Sequence, residues 1–230
     1  MFLFRWRGYL PLIFLSAVFV SLYLNRVPFE PTDTVWPVVC LAVGLIGIAI
    51  RVATVGFVPY MTSGRGTDAP YADSLNTTGM YSITRNPVYI GNFFMSLSPV
   101  LLTKNIWLLG LYVAVFFPYY KWIVFAEECF LQRKFGKVYS DWKKQTPRFF
   151  PNPSLWKKPD RPFSWQTALR RECISLFTLI VTLWSLQLFE GYVEHYKIIF
   201  DQFWLAMLAL SGSIYLLIAL SVKFREFFDW

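Results

Sequence analysis

Arg85, Asn86 and Pro87 stand in one run directly before an apolar stretch, and together they have the makings of an anion seat. Asn suits the N-cap of a helix, and Pro suits its first turn, where a missing N–H costs nothing. The N–H groups of Val88, Tyr89 and Ile90 are then predicted to lack partners inside the helix, leaving the positive end of a helix dipole facing a loop. Such an end holds a carboxylate or a phosphate. Arg85 adds a planar fork for an anion, and Gly91, one turn in, lets a second backbone or a flat ring come close. Tyr81 and Tyr89 flank the spot with ring faces suited to a cationic or aromatic ligand. Taken singly, each of these residues is also what an ordinary capped helix entry with interfacial aromatics would contain.

Glu127 and Glu128 follow a long apolar and aromatic run. Carboxylates at membrane depth are costly unless paired, which makes them candidates for function. Adjacent helical positions point roughly 100° apart, so the two cannot grip one group together. One is expected to serve a cationic ligand and the other a structural partner such as Arg85 or Arg51, itself an unusual charge near the end of an apolar stretch. Combined, an anion seat, a carboxylate for a cation, and aromatic and glycine surfaces would suit S-adenosylmethionine, which carries a carboxylate, an ammonium, a sulfonium and an adenine ring.

Other chemistries find little support. Cys40, Cys129 and Cys173 are far apart and form no C-x-x-C or Cys/His cluster, so no metal site or disulfide framework is expected. His195 is the only histidine, so a nucleophile–histidine relay would rest on that residue alone. Gly64-Arg65-Gly66 does not lie between a strand and a helix, as a nucleotide-binding loop requires.

The elements that must position these residues are membrane helices. At 56% hydrophobic, 16% charged and a mean hydropathy of +0.43, the 230-residue chain is too apolar for an ordinary soluble domain. A crossing needs about 20 apolar residues, and six candidates are read: Tyr9–Leu24, Val35–Phe57, Val88–Leu102, Ile106–Phe125, Cys173–Phe189 and Phe203–Val222. Thr103, Lys104 and Asn105 alone join the third and fourth, which predicts a tight antiparallel hairpin. Arg5 and Arg7 precede the first span, but no small-x-small cleavage pattern follows it, so an uncleaved anchor is expected.

Charge sets the expected orientation. The net +8 comes largely from the stretch Arg133–Arg171, and this block, with Arg65, Arg85, Lys223 and Arg225, falls on one side of the six spans. Arg26, Lys104 and Lys197 fall on the other. The positive-inside rule then places both termini in the cytoplasm, with the basic block as a lip for anionic headgroups. No basic, aromatic-interleaved soluble module remains to bind nucleic acid. The fold class expected is therefore an all-α polytopic bundle: two helices in residues 1–57, a core in residues 58–151, and a basic linker with two further helices in residues 152–230. Two polar stretches, Val58–Pro87 and Cys129–Glu172, lie on the cytoplasmic side, and chemistry is expected where they meet. The first reads as loop with little regular structure; the second begins as a helical extension over Cys129–Lys144 and breaks into the Pro-rich run Pro147–Pro162.

Three phrases carry a family resemblance. The run from Gly79 through Tyr81, Arg85, Asn86, Pro87 and Tyr89 to Gly91, then Glu127-Glu128-Cys129-Phe130-Leu131, then Phe135-Gly136-Lys137-Val138-Tyr139, resembles the isoprenylcysteine carboxyl methyltransferase and phospholipid methyltransferase superfamily. That superfamily shows G-x-Y-x-x-x-R-H-P-x-Y-x-G, E-E-x-x-L and F-G-x-x-Y in the same order, and the likeness covers roughly Asn76 to Pro151. It implies a helical membrane enzyme using S-adenosylmethionine in a cytoplasm-facing pocket, with the acceptor entering sideways from the bilayer. Carried over, Tyr81, Arg85, Asn86, Pro87, Val88, Tyr89, Gly91 and Glu127 would hold the cofactor, Asn76 would line the upstream pocket, and Arg85 with Glu128 would be the catalytic pair. Asn86 departs from the family's usual His and loses any proton-shuttling role.

Methyl transfer from a sulfonium is an in-line displacement, accelerated mainly by positioning and exclusion of water. An amine or thiol acceptor must also lose a proton, whereas a carboxylate or phosphate is already an anion, so O-methylation is expected over N-methylation. Thr62-Ser63-Gly64-Arg65 and Leu75-Asn76-Thr77-Thr78-Gly79 resemble bacterial members linked to methylation of a lipid A phosphate, which implies a membrane lipid acceptor and a bacterial inner membrane. The alternatives are a prenyl-cysteine carboxyl methyltransferase and a non-enzymatic transporter or scaffold.

Overall fold

A computed structural model describes the backbone of residues 9–25, 35–59 and 72–228, and the side chains of residues 11–24, 35–59 and 72–222. Among the described residues every regular element is helical: α1 Tyr9–Asn25, α2 Val35–Val55, α3 Met80–Ile83, α4 Pro87–Leu102, α5 Ile106–Gln145, α6 Trp165–His195 and α7 Gln202–Phe228, with a 3-10 turn at Pro153–Leu155. Of these, α2, α5, α6 and α7 are long and apolar enough to cross a membrane, while α1 and α4 contribute the shorter apolar helices Pro11–Leu24 and Pro87–Leu102. Arg5, Arg7, Arg26 and the phrase from Thr62 to Gly66 fall outside the described residues, as do the side chains of Lys223 and Arg225.

The helix boundaries follow local chemistry. Asn105 caps α5, its Oδ1 accepting from the N–H groups of Trp107 (2.9 Å) and Leu108 (3.2 Å). Ser164 caps α6 by accepting from the Thr167 N–H, so this helix begins well before the expected Cys173 and carries the polar residues Arg170–Glu172 on its first turns. Helix α5 runs past its apolar part to Gln145, as the helical extension required, but it breaks at Gly136, whose φ of 53° and ψ of −120° are not helical. Positive φ at this position suits glycine.

Packing centres on α2 and α4, which share the most extensive helix contact in the bundle. With no hydrophobic drive between helices inside lipid, close backbone approach at small residues takes its place. A Cβ at Gly47 would lie 2.5 Å from the Gly91 carbonyl oxygen, and one at Gly91 would lie 2.7 Å from the Gly47 carbonyl oxygen. Between α4 and α5 the contact is aromatic: Tyr89 meets Tyr120 (4.9 Å between ring centroids), and Phe93 meets Phe116 (5.1 Å) and Tyr112 (5.6 Å). Partners that descend along one helix as they ascend along the other establish the antiparallel hairpin. Helix α6 packs on α2 and α7, and Phe177 stacks on Tyr215 across the last pair.

Candidate functional site

The two polar stretches meet over the opening of α4. The Arg85 N–H donates to the Pro147 carbonyl (2.8 Å), the Asn152 N–H to Ile83 (2.9 Å) and the Gly79 N–H to Lys157 (2.9 Å), while the Lys157 N–H donates to Ser82 Oγ (2.9 Å). Thr84 Oγ1 donates toward the carbonyls of Arg148 and Phe149. The Pro-rich run is thereby a strap laid along residues 79–86. Proline serves such a strap well, because it fixes the chain without adding N–H groups that need partners.

Beneath the strap lies a charge cluster. Glu128, 5% exposed, is approached by Arg85 Nη1 (2.9 Å), Lys143 Nζ (3.1 Å) and Arg148 Nη2 (2.7 Å), and Arg148 Nε adds a further bond at 3.2 Å. One carboxylate thus gathers three cations from three parts of the chain. Arg85 Nε is buried with no hydrogen-bond partner among the described residues. Tyr139, fully buried, faces the same cluster; burial, and then the Glu128 charge, push its hydroxyl above the ordinary tyrosine range, partly offset by the Arg85 guanidinium beside it.

Glu127 points elsewhere, as adjacent helical positions must. It accepts a 2.7 Å hydrogen bond from the Tyr89 hydroxyl. The start of α4 and the acidic pair of α5 are therefore stitched twice, Arg85 to Glu128 and Tyr89 to Glu127. Tyr81 closes the group: burial, then the charge of Glu127, raise its hydroxyl well above the ordinary range, opposed by Arg171 and Arg51. Asn76 is half-buried in the loop just ahead of α3.

Several expectations need correction. Asn86 occupies the N-cap position but makes no side-chain cap bond; its Nδ2 donates instead to the Arg148 carbonyl (2.9 Å), anchoring the strap. The N–H groups of Tyr89 and Ile90, expected to be open, both donate to the Asn86 carbonyl. Pro87 does take the first helical position, fully buried. Gly91 admits a second backbone rather than a flat ring: its open side is filled by α2 at Gly47 and by the aliphatic stem of Arg51. Val88 packs against the buried cluster of Val55, Val58 and Ala168. Of the two arginines considered for the acidic pair, Arg85 takes Glu128, and Arg51 pairs with Glu172 of α6. The sequence reading passed over Tyr139, Lys143 and Arg148 as site residues. The F-G-x-x-Y phrase was the available signal for Tyr139, and only tertiary contact reveals the other two.

Against this geometry the comparisons with known proteins can be set. Residues 38–138 match the phospholipid methyltransferase family, part of the isoprenylcysteine and phospholipid methyltransferase superfamily. The matched stretch contains α4, the acidic pair and the stitching between them. Among curated proteins the chain is similar to the nickel-cobalt-cadmium resistance protein NccN of Alcaligenes xylosoxydans xylosoxydans, 30% identical over 63% of this chain and 64% of the relative. It is also similar to the cobalt-zinc-cadmium resistance protein CzcN of Cupriavidus metallidurans, 29% identical over 51% of each chain. The matches thus span less than two thirds of either relative's length. No solved structure matches the chain.

Proposed function

We propose that the protein is an integral membrane methyltransferase that moves a methyl group from S-adenosylmethionine onto an anionic oxygen of a membrane lipid, a lipid phosphate before any other. In this reading α1 and α4 join the four longer helices as six spans, both termini are cytoplasmic, residues 58–151 form the catalytic core, and the site faces the cytoplasm of a bacterial inner membrane. The observation that carries the reading is the double stitching of α4 to α5 within the family-matched stretch. Tyr81, Tyr89 and Glu127 are the surfaces for the cationic donor, with Asn76 upstream. The cation-rich cluster of Arg85, Lys143 and Arg148 on Glu128 is the seat for the acceptor's anionic head. Three cations on one carboxylate leave an excess of positive charge in a sheltered place, which suits a phosphate.

The preference for an anionic acceptor rests on the absence of a histidine base near the cluster. Asn86 stands at the family's histidine position, and the only histidine, His195, closes α6 about 35 Å along the helix from Glu172. The resistance relatives fit the same reading: methylating a phosphate removes negative charge from a membrane surface to which divalent cations bind. Membranes incubated with methyl-labelled S-adenosylmethionine should carry label in the lipid fraction, and Arg85→Ala and Glu127→Ala should abolish it when compared at equal amounts of folded protein. Label in a small protein band would favour the prenyl-cysteine alternative. Label in neither fraction would end the enzyme reading.

A further inference from the structure

Arg51 and Glu172 form a second buried ion pair that the reaction described above does not use. Arg51 Nε lies 2.7 Å from Glu172 Oε2 and Nη2 lies 2.9 Å from Oε1, a two-pronged pairing with side chains 14% and 3% exposed. Arg51 Nη1 also donates to Asn92 Oδ1. The arginine stem presses on Gly91, where a Cβ would stand 2.5 Å from Cγ. Through this one side chain Glu172 of α6 is connected to α4 at Gly91 and Asn92, within a turn of Tyr89, which holds Glu127. Arg51 and Arg171 are also the two cations whose charge reaches the Tyr81 hydroxyl. Glu172 lies 121 residues from Arg51 and beyond the family-matched stretch.

Resting on the donor site proposed above, we infer that Glu172 is a positioning residue for it: through Arg51 it fixes the register of α4 on α2 and so the placement of Tyr81, Tyr89 and Glu127. Helix α6 is then a wall of the site, and the carboxy-terminal pair of helices does more than anchor the chain. Arginine fits this role where lysine would not, because only a planar fork can engage a carboxylate with two nitrogens and still reach Asn92 with the third.

The test uses the full-length protein in lipid nanodiscs, with labelled S-adenosylmethionine as the probe for binding and transfer. Glu172→Gln should weaken donor binding about tenfold, the size expected for a group coupled to a site through one intermediary. The donor KM should rise in step while kcat changes less than twofold. Glu172→Asp should restore most of the affinity, and Arg51→Lys, which keeps the charge but loses the fork, should behave like Glu172→Gln. Unchanged donor affinity in a monodisperse Glu172→Gln protein would overturn the inference. Failure of both Glu172→Gln and Arg51→Lys to yield folded protein would overturn it too, assigning the pair to the fold alone. A wild-type protein that binds no donor refutes the parent reading, and this one with it; normal wild-type binding with normal variant binding refutes this one only.

Discussion

Replacing Glu128 with Gln keeps the shape of the side chain and removes its charge, which isolates what that charge does. Its three cations differ in shelter: Arg85 is 10% exposed, Arg148 30% and Lys143 40%. Breaking a buried pair by neutralising one member costs about 3–5 kcal/mol, because the remaining charge stays buried without compensation. Pairs open to solvent contribute only about 0–1 kcal/mol each. The Arg85 pairing therefore dominates, and the total loss is expected near 4 kcal/mol. For a chain of this size about 1 kcal/mol moves the midpoint by roughly 2–4 °C, so Glu128→Gln should melt on the order of 10 °C below wild type. Intrinsic tryptophan fluorescence of the detergent-solubilised protein would follow the transition. Glu127→Gln is the matched control: it weakens the hydrogen bond from Tyr89, on the scale of about 1.5–3 kcal/mol for a charged acceptor, and should be the milder of the two in stability. The reasoning fails if Glu128→Gln melts within about 2 °C of wild type, or if Glu127→Gln is the less stable variant.

Two further outcomes follow from the geometry. Gly91→Ala places a methyl against the Arg51 stem and the Gly47 carbonyl oxygen, so α4 must move off α2; a loss of about 1–3 kcal/mol is expected, measured by the same melt, with transfer activity reduced alongside. Tyr81 carries a hydroxyl held above its ordinary value of about 10 by burial and by Glu127, so its neutral form persists throughout the range from about pH 6 to 10. Tyr81→Phe should therefore lower methyl transfer by a constant factor across that range, and a wild-type advantage that fades before pH 10 in the rate profile would contradict the assignment.

Much of the architecture could be read before any coordinates, because apolar length and a three-residue link leave few choices. Thr103, Lys104 and Asn105 cannot span more than a turn, so α4 and α5 had to fold back on each other. The meeting of the two polar stretches was also readable, since both fall on one side of the same helices. Which acidic residue takes which arginine was not. That choice depends on the rotation of α5 about its axis and on Arg148, which reaches Asn86 through its carbonyl from 62 residues away. The same distant carbonyl explains the failed cap: Asn86 had two possible partners, and tertiary contact supplied the one that local sequence could not display. Gly91 illustrates a related ambiguity, because a missing side chain marks close approach without naming what approaches. Arg51 stood out as an unusual charge near the end of an apolar stretch, but its partner Glu172, 121 residues away, could be found only once the bundle assembles.

Gly136 gives the bent helix α5 a consequence of its own. Glu128 stands on one arm of the bend, with Lys143 on the other and Arg148 just past its end, so the chain between Glu128 and Arg148, 20 positions apart, forms a ring clasped by charge and turned by one torsion. Any side chain at 136 would strain the turn, and any neutral residue at 128 would undo the clasp. Both positions bear on the strap that brings the carbonyls of Pro147 and Arg148 to Arg85 and Asn86, where the backbone bonds from Asn152 to Ile83 and from Gly79 to Lys157 also hold it. Two constraints of unrelated chemistry, one steric and one electrostatic, thus act on a single segment of the chain.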